Sequence, residues 1–200
     1  MIIRNLESKQ QLQRLFDIYI QRFPEEIDHQ FPVQYFLSLT ESENLYSRKN
    51  FVGHLTASAF ILSADGQSVL LLHHKSLDRW LQAGGHIDKT DESILDAAYR
   101  EVAEETGLQK ENLQLLPTGD SPHIPFDIDS HAIPANPKKG EAAHVHHDFR
   151  YLFQVKHSVT VEVSAEESNG FRWVSLEDLK AIEDHTRVAK KISSLPRLQE

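Results

Sequence analysis

The sequence predicts an α/β fold with a mixed β-sheet, preceded by a helical extension over residues 1–50. Three observations predict it. Apolar residues recur at helical spacing near the start, strand-like runs flank a carboxylate-rich helix mid-chain, and a strand followed by helical sequence closes it.

Each element has its own signal. Ser8 with Gln11 is a capping box, and Leu12, Leu15, Phe16, Tyr19 and Phe23 follow at helical spacing until Pro24 ends the run. A short helix is predicted from Val33 to Leu39, then a polar linker from Thr40 to Asn50. The main domain, 51–200, changes character at His54. Residues 55–62 and 69–73 read as strands around an Asp65-Gly66 turn. Trp80 and Leu81 lead to Gly84-Gly85, and a helix is predicted from Glu92 to Thr106, stopped by Gly107. Leu113–Leu116 is a short apolar run. Residues 117–142, with Pro122, Pro125, Pro134 and Pro137, read as a long irregular loop. Residues 144–155, Val159–Val163 and Phe171–Val174 read as strands, and Ser175 with Asp178 opens a C-terminal helical region.

Composition narrows the function. The chain has 200 residues, 40% of them hydrophobic, enough for one sizeable core. Its formal charge of -9 and its lack of a Lys/Arg cluster argue against a nucleic-acid polymer as partner. That charge also repels small phosphates, so a phosphate site needs a local countercharge, such as a bound cation. The absence of cysteine excludes disulfides and thiolate metal sites. Met1–Gln10 is polar, without a signal-peptide core, and no apolar run reaches the ~18 residues of a membrane span. A cytoplasmic protein with no membrane partner is expected.

Chemistry concentrates in Arg100–Leu108. On a helix Glu101 and Glu105 lie one turn apart with Glu104 beside them, while Ile94, Ala98 and Val102 form an apolar stripe. Repulsion between such carboxylates costs only roughly 0.2–0.5 kcal/mol per pair, so the cluster alone does not demand a metal. A preplaced oxygen cluster suits Mg²⁺ or Mn²⁺ better than zinc.

Residues 84–108, GGHIDKTDESILDAAYREVAEETGL, resemble the signature of the Nudix hydrolase family. From Glu92 onward the spacing matches without a gap. Six residues instead of five separate Gly85 from Glu92, which leaves Asp91 as the other reading of the first acid; Glu92 is preferred for its spacing to Arg100. The similarity covers roughly residues 54–185. The resemblance implies an α/β/α sandwich and hydrolysis of a phosphoanhydride in a nucleoside-diphosphate-linked small molecule, with Mg²⁺ or Mn²⁺ as cofactor. It implies that Glu101, Glu104 and Glu105 bind the metal, with the Gly84 carbonyl as a further ligand. Glu101 or Glu104, and less so Glu141, would take the proton from water, and Arg100 would hold the glutamates in position.

Residues 144–155 alternate. His144, His146, Asp148 and Arg150 share one strand face, a pocket wall for substrate, a second metal site or a plain solvated surface. Two rival functions stand beside hydrolysis: a catalytically silent nucleotide sensor, and an isomerase on the same fold. The expected partner is a small nucleotide-like substrate, with a homodimer left open.

Overall fold

A computed structural model describes residues 6–41, 44–137 and 140–195. The outer ends of the expected extension and main domain, and parts of the Thr40–Asn50 linker and the 117–142 loop, lie outside them.

The helices are α1 (Lys9–Arg22), α2 (Phe31–Leu39), α3 (Ile94–Thr106), α4 (Leu176–Lys180) and α5 (Thr186–Ser194). The strands are β1 (His54–Leu62), β2 (Ser68–His74), β3 (Arg79–Leu81), β4 (Ala83–His86), β5 (Leu113–Leu115), β6 (Asp127–Ile133), β7 (His144–Val155) and β8 (Ser168–Ser175). They form one sheet in the order β3-β2-β1-β7-β5, with β4 on β1, β6 on β7 and β8 on β2. The β1–β7 pair is parallel and the other pairs antiparallel, so the sheet is mixed as predicted.

Alternation along the strands feeds two cores. Leu55, Ala57, Ala59 and Ile61 of β1 join Phe149, Tyr151 and Phe153 of β7 under the Ile94–Ala98–Val102 stripe of α3. Phe60, Leu62, Leu71 and Leu152 face the other way, against Leu179, Val188 and Ile192 of α4 and α5. Each fully buried side chain of this size contributes roughly 1.5–3 kcal/mol, so both sheet faces are held by cover on either side. The N-terminal helices belong to the first core: Leu12, Phe16 and Tyr19 of α1 and Val33, Phe36 and Leu37 of α2 pack into it.

Three expectations need correction. The stretch 117–142 contains strand β6, paired with β7 from Asp127↔Arg150 to Ile133↔His144. Val159–Val163 is extended but outside the sheet. There Glu162 and Ser164 donate their amides to the carbonyls of Thr106 and Glu105, so the segment tethers the end of α3. Helix α3 starts at Ile94, not Glu92, because Ser93 is its N-cap and accepts from the Asp96 amide. The capping box of α1, the Ser175 start of α4 and the left-handed Gly107 stand where predicted.

Candidate active site

Strand β4 brings Gly84 and Gly85 beside the last two turns of α3. A Cβ on Gly84 would sit 2.2 Å from the Ser58 Cβ, and one on Gly85 would sit 2.8 Å from the Glu101 carboxylate. At Gly84, where φ is +156° and the clash is with the β1 backbone, only glycine permits this approach. The Gly84 amide then donates to Glu105 Oε2 at 3.0 Å.

Arg100 organises the other acids. Its guanidinium donates to Asp91 through two bonds of 2.9 Å, to Glu101 at 3.0 Å, to Glu104 at 3.2 Å and to the His86 carbonyl at 2.8 Å. The acid that anchors Arg100 is therefore Asp91, which is buried, while Glu92 lies on the exposed side. This reverses the preference for Glu92, which came from counting residues to Arg100. With Asp91 as first acid, five residues follow Gly85 and the extra one falls between the acid and Arg100.

The three glutamates are not equivalent. Glu101 and Glu105 are buried and Glu104 is exposed. Burial raises the Glu101 carboxyl to about 7, opposed by Arg100 and reinforced by Glu104 and Glu167. Burial also holds Glu105 well above the carboxylate range. The Gly84 amide works against this, and a hydrogen bond with Glu167 and the charge on Glu101 add to it. Glu167, in the turn before β8, was not singled out in the sequence, because a lone acid sixty-odd residues from α3 carries no spacing signal.

The polar face of β7 is not a solvated surface. Asp148 is buried and accepts from Thr56 at 3.1 Å, Ser58 at 2.7 Å and Arg150 at 3.0 Å. Arg150 also pairs with Asp127 at 3.3 Å and Asp129 at 2.8 Å. Its fork is committed to three carboxylates, so a phosphate would have to break these pairs to reach it. Arg187 and Lys191 of α5 complete the network, reaching Asp127 and Glu26. Glu26 in turn accepts from the buried Tyr19 hydroxyl. Burial would raise Asp129, but His131, Arg150 and Arg187 outweigh it and hold the carboxyl below its ordinary range.

At the end of the same face His54, His144 and His146 meet. Among the described residues, the three-residue group whose ligand atoms all lie within 4.8 Å of one another is made of these histidines, not of the α3 carboxylates. His54 had no role assigned from the sequence. The alternation of His144 and His146 was the available signal, but the partner strand could not be read from it.

A cavity of about 990 Å³ opens between β3, β6 and the C-terminal helices. Arg79, Gln82, His131, Arg187 and Lys190 are among the residues that line it. Its size is that of a site for a small molecule.

A family profile described as the NUDIX domain matches residues 53–195. A protein of Lactococcus lactis described as "Probable DHNTP pyrophosphohydrolase" is 32% identical over 120 residues, 60% of this chain and 66% of its own length. The bovine protein "m7GpppN-mRNA hydrolase NUDT17" is 30% identical over 127 residues, 58% of this chain and 39% of its own. The chain thus spans less than two thirds of each of these relatives. The crystal structure of a NUDIX-family hydrolase from Clostridium perfringens, 28% identical, superposes with a TM-score of 0.54 over 72% of this chain and 98% of that one.

Proposed function

The chain belongs to the NUDIX family, and from that premise we propose that it hydrolyses a phosphoanhydride in a nucleoside-diphosphate-linked small molecule, using Mg²⁺ or Mn²⁺. The observation that carries this reading is the pair of buried carboxylates, Glu101 and Glu105, packed against a glycine pair beside the last two turns of α3.

The residues fit such an ion. Their donors are all oxygen, which suits a hard dication. Glu101 and Glu105 are held at raised pKa values by burial and by their acidic neighbours, as expected where negative charge is gathered without an equal positive charge. Glu101, Glu104 and Glu105 would hold the ion, with the Gly84 carbonyl as a further ligand. When bound, it neutralises diphosphate oxygens and acidifies a water.

The chain's own side chains supply the rest. Arg100 is a positioning residue: fixed by Asp91 and the His86 carbonyl, it sets the rotamers of Glu101 and Glu104. Glu101 or Glu104 takes the proton from the attacking water. The cavity beside Gln82 supplies room for the rest of the substrate.

The test is a phosphate-release screen over nucleotide sugars, dinucleoside polyphosphates, pterin and nucleoside triphosphates, with Mg²⁺ and with Mn²⁺. Glu105→Gln should lower turnover of the best substrate by roughly 10²–10⁴-fold, the range for a group acting in the transition state, with the fold intact. Turnover at the parental rate would contradict the assignment.

A further inference from the structure

We propose that His54, His144 and His146 form a second metal site, a three-imidazole cage for a zinc-class transition-metal ion, separate from the oxygen donors of α3. The parallel ladder creates it. His54 opens β1 and stands directly opposite His146 on β7, and His144 lies two residues earlier on the same face. The ring centroids are 4.7 Å apart for His54–His146 and 5.0 Å apart for both His54–His144 and His144–His146.

The hydrogen bonds fix which nitrogens are bare. A carbonyl oxygen can only accept, so the His144 Nδ1 at 2.8 Å from the Ala142 carbonyl carries its proton, and the same holds for His54 Nδ1 at 3.4 Å from the Asn50 carbonyl. Both rings therefore turn an unprotonated Nε2 inward. The His54 Nε2 is buried and has no hydrogen-bond partner, and the His144 Nε2 lies 3.1 Å from the His146 Nε2. A buried acceptor without a donor is costly, as the His54 Nε2 is, and the His144 Nε2 has only a proton on the His146 Nε2 to accept. One cation at their meeting point satisfies every lone pair at once. Backbone carbonyls holding the far nitrogen of the ligating rings are the support that metal-bound histidines ordinarily have.

Ligand chemistry selects the ion. Three neutral imidazoles without an oxygen ligand suit Zn²⁺, Ni²⁺, Cu²⁺ or Co²⁺ and not Mg²⁺. Zinc is usually four-coordinate, and two more imidazoles ring the cluster. His86 lies 5.2 Å from both His54 and His146, and His131, whose Nδ1 is held by Asp129 at 3.0 Å, lies 5.7 Å from His146. His86 also links the two sites, since its carbonyl accepts from Arg100. An ion in the cage would pin the first residues of β1 and β7 next to the loop that carries Arg100.

The site is tested with the full chain stripped of metal. Calorimetry with Zn²⁺ in excess Mg²⁺, and the visible absorption of added Co²⁺, should both show a single site that Mg²⁺ does not displace. His144→Ala and, as a second variant, His54→Gln should each weaken zinc by more than the roughly 10–100-fold typical of losing an outer-shell partner. Far-UV circular dichroism confirms that a variant tested is folded. Glu105→Gln should bind zinc like the parent, which separates this site from the α3 carboxylates. Absence of zinc uptake by the parent, or uptake lost in Glu105→Gln and kept in both folded histidine variants, would overturn the proposal.

Discussion

Helix α3 and the β6–β7 ladder both draw carboxylates into the interior, and they settle the cost in opposite ways. On the ladder Asp127, Asp129 and Asp148 meet Arg150, Arg187 and Lys191, so every negative charge has a cation beside it. On α3, Arg100 serves Asp91, Glu101 and Glu104, while Glu105 has only a backbone amide and another acid. The ladder's charges are neutralised in place, whereas the unmatched acids of α3 are where the proposed cation would bind.

The largest way to break the comparison is to remove the cation from the ladder. Arg150→Met leaves three carboxylates short of their partner and should cost about 3–5 kcal/mol, seen as a melting temperature lowered on the order of 10 °C. Glu105→Gln should do the reverse in metal-free protein, leaving the melting temperature unchanged or raising it, because it removes a carboxyl that burial, Glu167 and Glu101 hold well above its ordinary range. If both variants melted alike, the distinction between matched and unmatched charge would fail.

The two regions also differ in how far the sequence disclosed them. Helix α3 is local. Its apolar stripe, its glycine stop and its three glutamates all repeat within a few turns, so one 3.6-residue period carries them. Only the start was misjudged, since a serine cap beats an acidic residue as the boundary. The ladder is not local. Strand β6 alternates Asp127, Asp129 and His131 with Ile128 and Ser130, a pattern whose sense comes from Arg150 and from Arg187, sixty residues away. Prolines on both sides then made it resemble a loop. The histidine cage has the same character, joining His54 to residues some ninety positions later. Family resemblance located the carboxylates, but counting could not decide between Asp91 and Glu92; that required knowing which side chain reaches Arg100.

That choice gives a smaller, sharper test. Asp91→Asn weakens the anchor of Arg100 and should lower kcat by roughly tenfold, about 1.4 kcal/mol, with little change in KM. Glu92→Gln should leave both constants near the parental values. A larger loss from Glu92→Gln than from Asp91→Asn would restore the reading by spacing.

The most direct test of the central claim is the melting temperature of the protein from pH 5 to pH 8.5, in EDTA and in Mn²⁺. The Glu101 carboxyl is raised from 4.5 to about 7 in the folded state, so its stabilising share is present at low pH and is lost as the pH rises through 7. In EDTA, the Glu101 contribution should make stability fall between about pH 4.5 and pH 7, at up to roughly 1.4 kcal/mol per pH unit, and flatten above 7. Mn²⁺ should abolish most of that fall and stabilise far more at pH 8 than at pH 5, with Glu105→Gln losing the rescue. Parallel curves with and without Mn²⁺ would show that these acids await no cation.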